Sequence, residues 1–252
     1  MARHAREKSS SGIYHIMLQG IDRREIFSDD EDREVFLELL KHYREECGYK
    51  LYAYCLMGNH VHLLLQVRED DAPDKILKRI GVAYVYRYNA KYQRCGSLFR
   101  GRFRSECVEE DSYFLTVLRY IVQNPVKTGI CASPNAYPYS SMQTYLGKKD
   151  DGLTDTGYAL EICGQKELLR FLQKQNEDQC LEMSTTVPKG MSENSARELV
   201  RQTLGDFPDL SLDGRGTLAA SIRDLNSRGI SIRRISRLSG IPKGIVERCL
   251  KK

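Results

Sequence analysis

Apolar side chains recur along the first half of the chain in two rhythms, one of period two and one of three to four. The stretch IYHIMLQ at 13–19 is rich in strand formers and stops at Gly20, which predicts a strand. Ser28 to Asp32 supply acidic N-cap residues, and Val35, Phe36, Leu39, Leu40 and Tyr43 then follow at helical spacing up to Gly48. KLYAYCLM at 50–57 and HVHLLLQV at 60–67 read as two strands with Gly58-Asn59 as the turn. Pro73 opens a long helical pattern to about Tyr92. SLFRGRFRSECV at 97–108 predicts a fourth strand or a bent hairpin. Asp111-Ser112 then caps the helix YFLTVLRYIVQN, which Pro125 limits because the residue before a proline avoids helical geometry.

The order strand, helix, strand, strand, helix, strand is that of a split βαβ, or ferredoxin-like, unit. The expected class is therefore α+β, an antiparallel sheet with helices on one face, followed by an all-α C-terminal region. Beyond residue 150 the rhythm loosens. KKDDGLTDTG reads as a linker, 161–172 as a helix and 182–194 as a loop. The division expected is a domain over 1–149, a linker with short helices over 150–214, and a tail over 215–252.

Charge separates the last two parts. Residues 215–252 carry ten Lys or Arg against two acids, and residues 150–214 carry six against thirteen. A basic tail behind an acidic middle points to a nucleic-acid partner. Eight cysteines stand apart without the C-x-x-C spacing of a zinc or redox motif, so reduced thiols are expected. The polar, basic N-terminus lacks an apolar secretory core and no run reaches the length of a membrane span. A cytoplasmic protein with no membrane partner is the expectation.

Two of the five histidines lie one residue apart in GNHVHLLLQ. On a strand His60 and His62 point to the same face and Val61 to the other, so both imidazoles can converge on one ion. Two rings do not complete a metal site. In LRYIVQNPV, Tyr120 and Asn124 are four apart and share a helix face. An Asn carbonyl oxygen is a candidate third ligand and a Tyr hydroxyl a candidate nucleophile. Tyr113 lies on that face two turns earlier and remains a rival. Arg100, Arg102 and Arg104 alternate along the expected fourth strand and suit either phosphate contact or a solvated sheet face. In YVYRYNAKY, Tyr84, Tyr86, Tyr88 and Tyr92 are candidates for stacking on unpaired bases or for packing. Tyr14 and His15 read as structural or weakly functional.

Together GNHVHLLL and LRYIVQNPV resemble the single-tyrosine HUH transposases, in particular the REP-associated tyrosine transposases. The resemblance extends over roughly residues 10 to 145 and includes YHIMLQGIDRREIF, LFRGRFRS and YPYSS. It implies a divalent ion, Mg2+ or Mn2+, held by His60, His62 and Asn124. It also implies that Tyr120 attacks single-stranded or hairpin DNA, giving a 5′-phosphotyrosine and a free 3′-hydroxyl. Insertion-sequence relatives often carry Gln where Asn124 stands, whereas the REP-associated branch has the Asn-Pro seen here.

The tail GISIRRISRLSGIPKGIVERCLKK resembles a bacterial helix-turn-helix module, with Gly240 at the turn and Ile235, Leu238, Ile241, Val246 and Leu250 as its core. Lys243, Arg248, Lys251 and Lys252 are then candidates for duplex contact. The function expected is DNA transposition, by a monomer or a homodimer. The rivals are a non-catalytic DNA-binding regulator on the same fold and a nuclease that uses water in place of tyrosine.

Overall fold

The strands bury both faces of a four-stranded antiparallel sheet, and the side-chain parity along each strand decides which helices cover which face. The computed structural model describes residues 7–68, 71–175, 178, 180–181, 193–204, 215–227, 230 and 232–250. The sheet comprises β1 (Ile13–Gln19), β2 (Lys50–Met57), β3 (His60–Gln66) and β4 (Arg104–Cys107), in the order β2-β3-β1-β4. The helices between them are α1 (Asp30–Cys47) and α2 (Pro73–Lys91), so the split βαβ order is present.

Local chemistry sets the helix ends. Asp29 Oδ1 accepts the Asp32 amide at 3.0 Å and Asp32 Oδ2 accepts the Asp29 amide at 3.3 Å, a reciprocal capping box at the start of α1. Gly48 closes that helix with φ +67°, a conformation that costs a residue with a Cβ. Pro73 opens α2, where its missing N–H is no loss.

On one face, Tyr14, Ile16 and Leu18 of β1 and Val61, Leu63 and Leu65 of β3 pack with Phe36 and Leu40 of α1 and Ile76, Ile80 and Tyr84 of α2. The other face belongs to a further helix, α3 (Asp111–Lys127), whose Phe114, Val117, Leu118 and Ile121 meet Ile13, Tyr52, Ala53, Cys55 and Leu64. Helices on one face thus holds for α1 and α2 and is corrected by α3. The register shift between Leu51 and Ala53 turns both Tyr52 and Ala53 toward α3.

Three local expectations change. Pro125 lies inside α3, and Glu110 is its N-cap without a side-chain hydrogen bond. Burial holds the last turn helical: Gln123 Nε2 donates to the carbonyls of Leu172 at 2.6 Å and Lys174 at 2.8 Å, and the Thr128 amide closes onto Asn124 O at 3.0 Å. The fourth strand has only four residues, because Gly101 turns at φ +65° and Phe99 makes only an isolated bridge to Gly20, just past the end of β1. Arg100 and Arg102 are exposed outside the strand, so the three arginines do not form one strand face.

The expected boundary after residue 149 is not a boundary. Thr154 bridges to Leu51, Leu153 is buried, and the Arg44 guanidinium donates to Leu153 O at 2.8 Å. After a short α4 (Met142–Tyr145), α5 (Gly157–Cys163) and α6 (Gln165–Gln173) add Ala159, Leu168 and Leu172 to the α3 side of the core. The chain divides instead into residues 1–181 and 182–252.

The second unit has its own apolar centre. It contains α7 (Glu193–Leu204), α8 (Arg215–Ser227), α9 (Ile232–Ser239) and α10 (Lys243–Leu250), around Val200, Ile222, Leu225, Ile235, Ile241 and Val246. Gly240, at φ +73°, makes the turn between α9 and α10. All eight cysteines are free thiols. Among the described residues no helix is long and apolar enough to cross a membrane.

Candidate nucleic-acid processing site

The sheet face turned toward α3 carries the histidines. His60 and His62 share that face with His15 of β1, which lies diagonally across from His62, because Met17 is the direct partner of His62. The His60 and His62 ring centroids are 5.0 Å apart, nearly perpendicular. Asn124, from the last turns of α3, enters between them: its Oδ1 is 3.4 Å from His60 Nε2 and its Nδ2 is 3.5 Å from His62 Nε2. Tyr120, one turn earlier, sets its ring 5.5 Å from that of His62 and 5.8 Å from that of His15. Tyr120 is 5% exposed, and the Lys127 ammonium stands 4.6 Å from its ring centroid.

Burial decides protonation here. Desolvation lowers the His60 pKa, opposed by the contact with Asn124. It lowers that of His62 well below the usual imidazole range, and the neighbouring His15 and His60 add to the effect. Both rings are held neutral, the form that binds a cation. His60 Nδ1 lies 2.6 Å from Asn59 Oδ1, an obligate acceptor, so its single proton belongs there. Its Nε2 lone pair therefore faces Asn124 Oδ1, another acceptor, without a proton between them.

A cation held between two such acceptors would relieve the repulsion of lone pairs 3.4 Å apart. The donor set of two imidazoles and an amide oxygen suits a divalent ion. His15 is not a further ligand, since Glu106 Oε1 at 2.7 Å and His62 Nδ1 at 2.9 Å occupy its two nitrogens. Among the described residues no three His, Cys, Asp or Glu side chains form a metal cluster, so an ion held here would take the amide as its third donor.

Tyr113, the rival tyrosine, stands elsewhere. It interacts with Glu106 and Cys180, and burial together with the Glu106 charge raises its pKa. Of the arginines, Arg104 in β4 pairs with Met17 and so shares the histidine face. Arg102 lines an apolar groove on the opposite side with Leu18, Val82 and Tyr86. Tyr84 and Tyr88 are core residues of α2, and the Tyr92 hydroxyl donates to Asp32 Oδ2 at 2.9 Å; Tyr86 alone of the four points outward, at 77% exposure. In the second unit Lys243 pairs with Glu247 at 3.1 Å and Arg248 Nε donates to Gly244 O at 3.2 Å. Lys251 and Lys252 lie outside the described residues.

A family model described as "Transposase IS200 like" matches residues 8–124, which span the whole sheet and end at Asn124. Residues 8–124 are thus similar to the IS200-like transposases. The chain also carries a sequence likeness to a Haemophilus influenzae protein described as a REP-associated tyrosine transposase. The two are 27% identical over 158 residues, which cover 56% of this chain and 85% of the relative. Among solved structures, a REP-associated tyrosine transposase bound to a REP hairpin superposes with a TM-score of 0.52 and 14% identity. The match covers 62% of this chain and 93% of that one, and establishes a shared fold.

Glu106, and the contact that joins it to His15, escaped the sequence reading. Their place depends on strand register, which sets His15 opposite Glu106 across β1 and β4.

Proposed function

We propose that this chain is a metal-dependent single-tyrosine transposase that cleaves and rejoins single-stranded or hairpin DNA. The observation that supports it is the meeting of His60 and His62 from β3 with Tyr120 and Asn124 from α3 on one sheet face. His60 Nε2, His62 Nε2 and Asn124 Oδ1 would hold Mg2+ or Mn2+. When bound, that ion supplies Lewis-acid polarisation of a non-bridging phosphate oxygen.

The protein's own contribution is a positioned phenol. Attack by the Tyr120 hydroxyl oxygen on phosphorus forms the tyrosyl ester and breaks the P–O3′ bond. The phenolic proton leaves to solvent and the departing O3′ takes one up, so the step is balanced. The ester keeps the free energy of the broken bond, and a DNA 3′-hydroxyl reverses the step to rejoin strands without ATP. Because Tyr120 is 5% exposed, DNA engagement must uncover its hydroxyl.

Arg104 on the same face is a candidate phosphate contact, and exposed Arg100 and Arg102 flank it in sequence. The hairpin in the similar solved structure favours a hairpin substrate here. The α9-turn-α10 unit, with Lys243 and Arg248, would grip neighbouring duplex.

The test is a denaturing gel with labelled single-stranded or hairpin DNA and Mn2+. Wild type is expected to form a denaturant-stable adduct, and Tyr120→Phe none, with DNA binding retained. An adduct that persists in Tyr120→Phe overturns Tyr120 as the nucleophile, and binding without any wild-type adduct favours the regulator.

A further inference from the structure

Behind the proposed ligand His62 runs a chain of three side chains, each bonded to the next, with a carboxylate at its far end. Glu106 Oε1 lies 2.7 Å from His15 Nδ1, and His15 Nε2 lies 2.9 Å from His62 Nδ1. Both histidines are buried, so no solvent competes for these atoms. A carboxylate can only accept, so His15 carries its proton on Nδ1. Burial lifts the Glu106 carboxyl pKa, but the His15 ring, the Leu181 amide and the Tyr113 hydroxyl outweigh it and keep the group ionised. A neutral His15 with its proton on Nδ1 offers only a lone pair at Nε2. His62 must then donate from Nδ1, which leaves its Nε2 unprotonated and able to accept from Asn124 Nδ2 at 3.5 Å.

We propose that Glu106 and His15 are positioning residues that fix His62 in the Nδ1-protonated tautomer and so present its Nε2 lone pair to a divalent cation. The inference rests on the metal-site reading above, extended by two residues that lie outside the ligand set. The same result is reached at His60 by a shorter route, its Nδ1 proton going to Asn59 Oδ1 at 2.6 Å. Each candidate ligand thus has its rear nitrogen engaged by a different group, and outer partners of this kind orient and strengthen histidine ligands. The anchor is itself built in. Glu106 sits on β4 directly opposite His15, and the Leu181 amide donates to the same Oε1 at 3.1 Å.

The arrangement gives a polarity that single substitutions can keep or break. In His15→Gln the amide oxygen can accept from His62 and its NH2 can donate to Glu106, so the direction survives. In His15→Leu the His62 Nδ1 proton has no acceptor, and the ring gains by moving that proton to Nε2, where it blocks the cation. Glu106→Leu frees His15 to take either tautomer and removes the instruction at its source.

The experiment uses the full chain and two measurements. Nitrogen-15 NMR of the metal-free wild type is expected to place the His62 proton on Nδ1; a proton on Nε2 overturns the proposal without any variant. Titration with Mn2+, followed by electron paramagnetic resonance of the free ion, is expected to show affinity reduced about 10- to 100-fold in His15→Leu and Glu106→Leu. His15→Gln is expected to stay within a few-fold of wild type. Wild-type affinity in His15→Leu, or loss in His15→Gln equal to that in His15→Leu with both folded by circular dichroism, overturns it. Mn2+ binding of this pattern without a DNA adduct would sink the transposase chemistry and leave the relay standing.

Discussion

The Lys127 ammonium lies over the ring of Tyr120, 4.6 Å from its centroid and two turns further along the same helix. The contact places a cation beside the group proposed to become charged during attack. Cation-ring contacts contribute about 1 kcal/mol, or roughly fivefold in rate. Lys127→Met is therefore expected to slow single-turnover adduct formation about fivefold while DNA affinity changes less. An unchanged rate would confine Lys127 to packing and to its bond with Asp178 O.

A second prediction concerns the paired charges Arg119 and Asp178. Two hydrogen bonds, at 2.7 and 2.8 Å, join them, and the guanidinium also stacks on Phe171 at 3.9 Å. Both side chains are mostly shielded from water. Asp178→Ala leaves the cation without its partner, and a loss of about 1–3 kcal/mol in urea unfolding of the first unit is expected. A loss below roughly 0.5 kcal/mol would class the pair with surface bridges.

Acid should weaken the anchor of the N-terminal segment. The Ser10 hydroxyl, with the Ser10 and Ser11 amides, holds the Glu109 carboxyl down to about 2, against an ordinary 4.5. A carboxyl lowered on folding stabilises fully above its unfolded pKa, and that contribution is lost as pH falls through the folded one. The stability gap between wild type and Glu109→Gln is expected to close between pH 4.5 and about 2, as read by denaturant unfolding at each pH. A gap independent of pH would mean that the carboxylate charge is not what holds Ser10 and Ser11.

The second unit should melt on its own terms. Ile222 is fully buried in its centre, and Ile222→Ala is expected to cost about 2–5 kcal/mol there. Because residues 1–181 and 182–252 have separate cores, one unfolding transition should shift and the other stay. A joint shift of both transitions would contradict this independence.

Strands and helices of the first unit were legible because their periods are plain, and the parity of His60 and His62 placed both rings on one face. The position of α3 was legible in principle: Leu63, Leu64 and Leu65 run in succession through both faces of β3, which requires apolar cover on each side. Local rules failed where tertiary contacts dominate. Pro125 stays helical because the Gln123 amide and neighbouring apolar groups fix that turn. The acidic stretch at 150–155 reads as a linker by composition, yet Asp151 Oδ1 accepts the Leu153 and Thr154 amides at 2.9 and 2.8 Å and folds it into the core. The His15–Glu106 contact joins residues 91 positions apart, and no period in the sequence encodes it.

Tyr120 and Asn124 ride one turn apart on a single rod. A displacement of α3 large enough to withdraw the phenol would also pull the amide oxygen away from the imidazoles. In the proposed enzyme, arming the attacking group and completing the ion's cradle would then be one mechanical act, so a misdocked helix would be silent on both counts.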